Sequence, residues 1–180
     1  MGRFTVISDP QSAVFGILKW TDPVWDRPGQ AGWHELYATN WEQAFTFYSS
    51  LFGRKKVDAI DMGEMGTYQL FTDGGAPIGG MFNKPAQVPV PCWLFYFNAG
   101  PVDAAADRVR NAGGQIINGP MEVPGENWIL QSLDPRGAMF ALLWTKGAYG
   151  TRTDRVRPGH GKVRTHFIEL AVFHGPPPTS

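Results

Sequence analysis

The sequence repeats itself at an offset of 61 residues without a gap. The offset pairs Leu36 with Phe97, Ala38 with Ala99, Glu42 with Asp103 and Ala44 with Ala105. It goes on to pair Gly53 with Gly114, Asp73 with Asp134, Met81 with Leu142 and Phe82 with Leu143. No single pair carries much, but one spacing held over about fifty residues requires two like units. At 180 residues the chain has the size of one ordinary domain, so two such units must share a core.

Each half reads as a strand, a helix and further strands. In the first, Trp33 to Ala38 suits a strand. Asn40 suits a helix N-cap, and Gln43 stands where it would complete a capping box. Ala44, Phe47, Tyr48, Leu51 and Phe52 then recur at helical spacing, and Gly53 suits a left-handed helix end. Strands are expected at 55–61, 67–72 and 76–82, with Asp73-Gly74-Gly75 as a hairpin signal. In the second half Trp93 to Asn98 is a strand, and Val102, Ala105, Ala106, Val109 and Ala112 form a helical stripe ended by Gly113-Gly114. Strands follow at 115–117, 128–133 and 138–144, the last two joined by Asp134-Pro135-Arg136-Gly137, a type I turn sequence. Trp93, Phe95 and Phe97 are expected to cover the helix of their own half. Met121, Glu122 and Trp128 border a Pro/Gly loop expected over 119–125, to be read either as a plain surface loop or as a cap on whatever the strands enclose.

A third copy of one piece lies at the N-terminus. Asp9-Pro10-Gln11-Ser12-Ala13-Val14-Phe15 parallels Asp134-Pro135-Arg136-Gly137-Ala138-Met139-Phe140, so residues 1–20 read as the closing hairpin of another unit. Residues 21–31, with two prolines among them, read as a linker. From Lys146 to the end six basic residues face two acidic ones, and 146–180 reads as a basic, mobile tail outside the fold.

Composition sets limits on function. Sixteen basic and sixteen acidic residues cancel, which excludes whole-chain binding of nucleic acid. No apolar run approaches the roughly 18 residues of a membrane span. With Cys92 as its one cysteine the chain has no internal disulfide, and a reducing, cytoplasmic location is expected. Nucleotide-binding glycine signatures and a nucleophile elbow are absent.

A duplicated βαβββ unit carrying Phe45-Thr46-Phe47-Tyr48-Ser49-Ser50-Leu51-Phe52-Gly53 and Asp134-Pro135-Arg136-Gly137 resembles the vicinal oxygen chelate superfamily. This is the group of glyoxalases, bleomycin-resistance proteins and extradiol dioxygenases. The resemblance covers about residues 32–144 and is closest in style to bacterial tandem proteins with two double modules. It implies an α+β fold in which two paired βαβββ modules, 32–83 and 92–145, form a cup-shaped curved sheet with helices outside. It also implies that the hairpin at 1–20 is what remains after loss of a preceding double module.

In metal-dependent members of that superfamily, His, Gln or Glu from the first and last strands of each module hold a divalent ion. Carried over residue by residue, the first-strand positions here are Trp33 and Leu94, and the last-strand positions are Gly80 and Ala141, with Gly16 in the N-terminal hairpin. None of these offers an electron pair to a hard or borderline ion. His34 is adjacent, but strand side chains alternate faces, so it points away from the cup. The expectation is therefore no metal and no cofactor.

The same alternation sets out the lining of the cup: Trp33, Glu35 and Tyr37 on one first strand, Leu94, Tyr96 and Asn98 on the other, and Met139, Ala141 and Leu143 on the last. An apolar hollow with a few placed polar groups is the usual form of a small-molecule site. Glu35 is the candidate acid or base, since burial among aromatics would raise its pKa. The leading expectation is metal-free binding of a small organic molecule. The alternatives are a metal-dependent lyase, isomerase or dioxygenase, and a structural pseudo-domain. The open strand edges of the N-terminal hairpin invite pairing, so a homodimer is expected, with exchange of that hairpin as its route.

Overall fold

The computed structural model describes residues 3–19 and 31–146. The linker expected over 21–31, save its last residue, and the basic tail expected over 146–180, save its first, lie outside the described residues. Two strands, β1 (Arg3–Ser8) and β2 (Val14–Lys19), make a small antiparallel sheet of their own. The first module contributes β3 (Ala31–Ala38), α1 (Trp41–Phe52), β4 (Lys55–Asp61), β5 (Thr67–Thr72) and β6 (Gly79–Asn83). The second contributes β7 (Cys92–Asn98), α2 (Val102–Asn111), β8 (Gln115–Val123), β9 (Asn127–Leu133) and β10 (Met139–Thr145).

The two modules form one curved, mixed sheet of eight strands in the order β4-β5-β6-β3-β7-β10-β9-β8. Its centre is the antiparallel pair β3–β7, flanked on each side by a parallel partner, β6 against β3 and β10 against β7. Strands at the 61-residue offset thus stand at equivalent distances from the centre. The fold is the α+β arrangement of paired βαβββ modules that the repeat predicts.

Helix α1 starts on Asn40, whose side chain accepts from the Gln43 backbone N–H at 2.9 Å, and ends on Gly53 at φ 71°, in the left-handed region that favours glycine. The other half of the expected capping box is filled differently. Gln11 of the β1–β2 turn reaches over, accepts from the Asn40 N–H and donates to the Asn40 carbonyl, each at 2.8 Å. The hairpin is thereby tied to the start of α1.

The N-terminal turn reproduces the 134–138 turn bond for bond. Asp9 Oδ1 accepts from the Gln11 and Ala13 N–H groups at 2.8 Å, as Asp134 Oδ1 accepts from those of Arg136 and Ala138. Ser12 takes the left-handed φ of 77° that Gly137 takes at 86°. Phe15 and Ala13 are fully buried in a core with Leu36, Ala44, Tyr48, Phe71, Met81, Trp93 and Phe95. Asp9 Oδ2 accepts from the Tyr48 hydroxyl at 3.0 Å, and that hydroxyl accepts from Trp93 Nε1 at 2.9 Å. The hairpin therefore covers the back of β7 on its own chain.

This placement changes two details of the packing. Trp93 and Phe95 lie under α1 and the hairpin, not under α2, and Phe97 is 37% exposed. Helix α2 sits instead over the outer strands, with Val102, Ala106 and Val109 packed on Leu130, Ile116, Trp128, Phe140 and Leu142. The expected loop over 119–125 is mostly strand. β8 runs to Val123, paired with β9 through a register shift at the Gly119–Pro120 step, and only a turn at 124–126 remains. Met121 pairs with Ile129 and Glu122 with Trp128, so neither lies in a flap over the sheet.

Candidate functional site

The concave face is set by strand alternation about the central pair. Trp33 lies opposite Tyr96, Glu35 opposite Leu94 and Tyr37 opposite Cys92. Residues opposed in an antiparallel pair share a face, so all six point the same way. The parallel neighbours add Gly80 beside Glu35, Phe82 beside Tyr37, Ala141 beside Tyr96 and Leu143 beside Asn98. Tyr37, Phe82, Cys92, Leu94, Tyr96 and Ala141 form one buried cluster. Trp33, Met62, Tyr68, Val88, Ile129, Met139 and Leu143, each partly buried, ring it. The residues expected to line the cup thus come together, with Met139 on this ring. Asn98 is half-buried at the end of β7, its amide over Gly32, where a β-carbon would collide with it.

His34 projects to the other face. Its Nδ1 donates to the Ile78 carbonyl at 3.1 Å and its ring meets Phe95 edge-on. Burial, with the Arg54 guanidinium nearby, lowers its pKa to about 4, so it is neutral at ordinary pH.

Glu35 is the polar centre of the concave face and only 9% exposed. Its Oε1 accepts from the Tyr68 hydroxyl at 2.9 Å and its Oε2 from the Tyr96 hydroxyl at 2.8 Å. The Tyr37 hydroxyl also bonds the carboxylate. Behind these phenols stands a second rank of donors. Trp33 Nε1 donates to the Tyr68 oxygen at 2.9 Å, and Gln131 Nε2 donates to the Tyr96 oxygen at 2.6 Å and the Tyr37 oxygen at 3.3 Å. Asn118 Nδ2 in turn holds Gln131 Oε1 at 3.2 Å.

Burial raises the Glu35 pKa above the ordinary carboxylate value, and the hydrogen bonds from Tyr96, Tyr68 and Tyr37 act against that rise. The same burial, together with the nearby carboxylate, pushes all three phenols well above their usual range and Cys92 to about 11. Of these groups Glu35 is the one carboxyl, and its raised pKa makes it the candidate to give or take a proton.

Tyr68 and Gln131 were not among the residues expected from the sequence. Gln131 had a signal, as the one amide within the apolar run from Trp128 to Leu133. Tyr68 had none, because its place depends on Gly80 of the neighbouring strand. A β-carbon on Gly80 would overlap the Tyr68 ring and hydroxyl, so glycine is what lets that ring lie across β6 and reach Glu35.

The profile of the Glyoxalase/Bleomycin resistance protein/Dioxygenase superfamily matches residues 30–142, well over half of the chain. The chain belongs to this superfamily. A Mycobacterium tuberculosis protein named as a glyoxylase, CFP32, is 27% identical over 146 residues, covering 79% of this chain and 56% of its own. The anthracycline biosynthesis protein DnrV of Streptomyces peucetius is 31% identical over 134 residues, covering 67% of this chain and 48% of its own. The chain thus spans about half the length of these relatives. Among solved structures, a methylmalonyl-CoA epimerase of Streptomyces coelicolor superposes with a TM-score of 0.53 at 14% identity, covering 69% of this chain and all of that one. A hypothetical protein from Bacillus halodurans gives 0.53 at 12% identity, with coverage of 72% and 100%. These two likenesses establish the shared fold.

The donor set of this superfamily member does not fit a chelated divalent ion. The four family ligand positions hold Trp33, Leu94, Gly80 and Ala141, all on the concave face, and the Tyr68 ring fills the space over Gly80. Glu35 is the carboxylate at the centre of that face, and both its oxygens are engaged by phenols that stay protonated. Among the described residues no three His, Cys, Asp or Glu side chains gather where they could hold an ion. Also among the described residues, no helix is long and apolar enough to cross a membrane.

Proposed function

We propose that this superfamily member binds a small organic molecule in its cup without a metal, with Glu35 as the polar anchor. The observation that carries the reading is the Glu35 carboxylate, buried among aromatic and aliphatic side chains and held from both sides by Tyr68 and Tyr96. A concave apolar surface with one ordered polar group is what a small-molecule site requires. Trp33 and Tyr68, both partly exposed on the ring around the floor, supply flat faces for a guest to stack on. The relatives named for anthracycline biosynthesis make a flat, multi-ring molecule a reasonable first probe.

Titration of Trp33 emission tests the reading. A flat aromatic probe, an anthracycline among the first choices, should change tryptophan fluorescence saturably, and Trp33→Phe should remove that change. Protein dialysed against chelator should bind the probe as well as untreated protein does. A probe that binds only after a divalent ion is restored would overturn the metal-free reading.

A further inference from the structure

We propose that the guest of this cup is an organic cation, a protonated or quaternary amine carried on an apolar body. The inference rests on the reading of the cup as a binding site and goes on to fix the charge of its occupant.

It follows from a count of hydrogens on the floor. The Tyr68 and Tyr96 O–H groups are given to Glu35, and the Tyr37 hydroxyl bonds it as well. The Trp33 N–H is given to Tyr68, and the Gln131 amide to Tyr96 and Tyr37. The strong donors around Glu35 are therefore spent inside the network, and the Asn98 amide stands apart at the end of β7. What is left is the opposite set: the remaining lone pairs of Glu35, the phenol oxygens, and the partly exposed rings of Trp33 and Tyr68 over the buried rings of Tyr37, Phe82 and Tyr96. Carboxylate and ring faces are both negative, and together they favour a cation. At Glu35 an anionic guest would meet no unspent donor and one like charge. The ammonium of Lys84, just past β6, donates to the Val88 carbonyl at 2.7 Å, and its charge bears on Cys92.

The test compares three probes of similar shape by calorimetry: phenyltrimethylammonium, its neutral isostere tert-butylbenzene, and benzoate. The cation should bind at least about tenfold more tightly than the isostere, and benzoate more weakly than both. Glu35→Gln should bring cation and isostere to within about threefold of each other. Should that variant fail to fold, the wild-type protein gives a second measure. The groups facing Glu35 are Tyr37, Tyr68, Tyr96 and Cys92, whose pKa values burial raises above neutrality, with Lys84 beyond them, so a change of preference between pH 5 and pH 8 reports on Glu35. Over that range the preference for the quaternary ammonium, which cannot itself titrate, should grow as pH rises. Equal affinity for cation and isostere, or a preference that does not change with pH, overturns the cation proposal while leaving the cup as a binding site. Failure of all three probes, and of an anthracycline, overturns both.

Discussion

The ring of Tyr68 lies across Gly80 in the space that a β-carbon at residue 80 would need. A glycine in a last strand thus acts on the site through its neighbour: it sets where a phenol stands, and that phenol holds Glu35. Gly80→Ala should cost roughly 1–3 kcal/mol of stability from overpacking and weaken any guest that depends on Glu35. In a Tyr68→Leu background the same substitution should cost clearly less, since the clash is with the ring. Urea unfolding of the four proteins in this cycle checks it, and equal penalties in both backgrounds would show that the overlap is relieved elsewhere.

Glu35 makes a prediction about pH. Its pKa is raised in the folded protein from the ordinary 4.5. As pH rises past 4.5 the unfolded chain loses the proton first, so this group lowers stability across the window up to its folded pKa, above which its effect is constant. Stability below that window contains the full contribution of the protonated acid. Glu35→Gln should flatten this fall, as seen in urea midpoints collected between pH 4 and pH 8. An unchanged pH profile would mean that the carboxyl keeps its ordinary pKa.

His34 acts in the opposite direction. Its folded pKa is lowered from 6.5 to about 4. As pH falls below 6.5 the unfolded chain takes up a proton that the folded one refuses, so stability is lost between 6.5 and about 4. His34→Gln should remove this loss. An NMR titration should show imidazole nitrogens of His34 that do not respond above about pH 5, and a midpoint near 6.5 would contradict the burial argument.

The two aspartate turns offer a matched pair. Asp134→Ala removes an acceptor for two backbone N–H groups and should cost about 1–2 kcal/mol. Asp9→Ala removes the same two bonds and also leaves the buried Tyr48 hydroxyl without this acceptor, so it should cost about 2–4 kcal/mol. Chemical unfolding of both variants gives the comparison. A smaller loss for Asp9→Ala would show that the hairpin contributes little to the core it covers.

The sequence by itself was enough for the duplicated module, the two helices, the Asn40 and Gly53 ends of the first, and the alternation that turns Trp33, Glu35 and Tyr37 to one face. The reason is that these follow from short-range periodicities: an offset of 61 residues, a helical spacing, and the two-residue alternation of a strand. The tertiary structure decided the rest. Where the hairpin seats Phe15 and Gln11, why Phe97 stays exposed, and how Tyr68 and Gln131 come to hold Glu35 all depend on which strand lies beside which. Alternation assigns a side chain to a face, but reach across neighbouring strands depends on lateral order and on small residues such as Gly80. Those relations join residues far apart in the chain, and no local pattern records them.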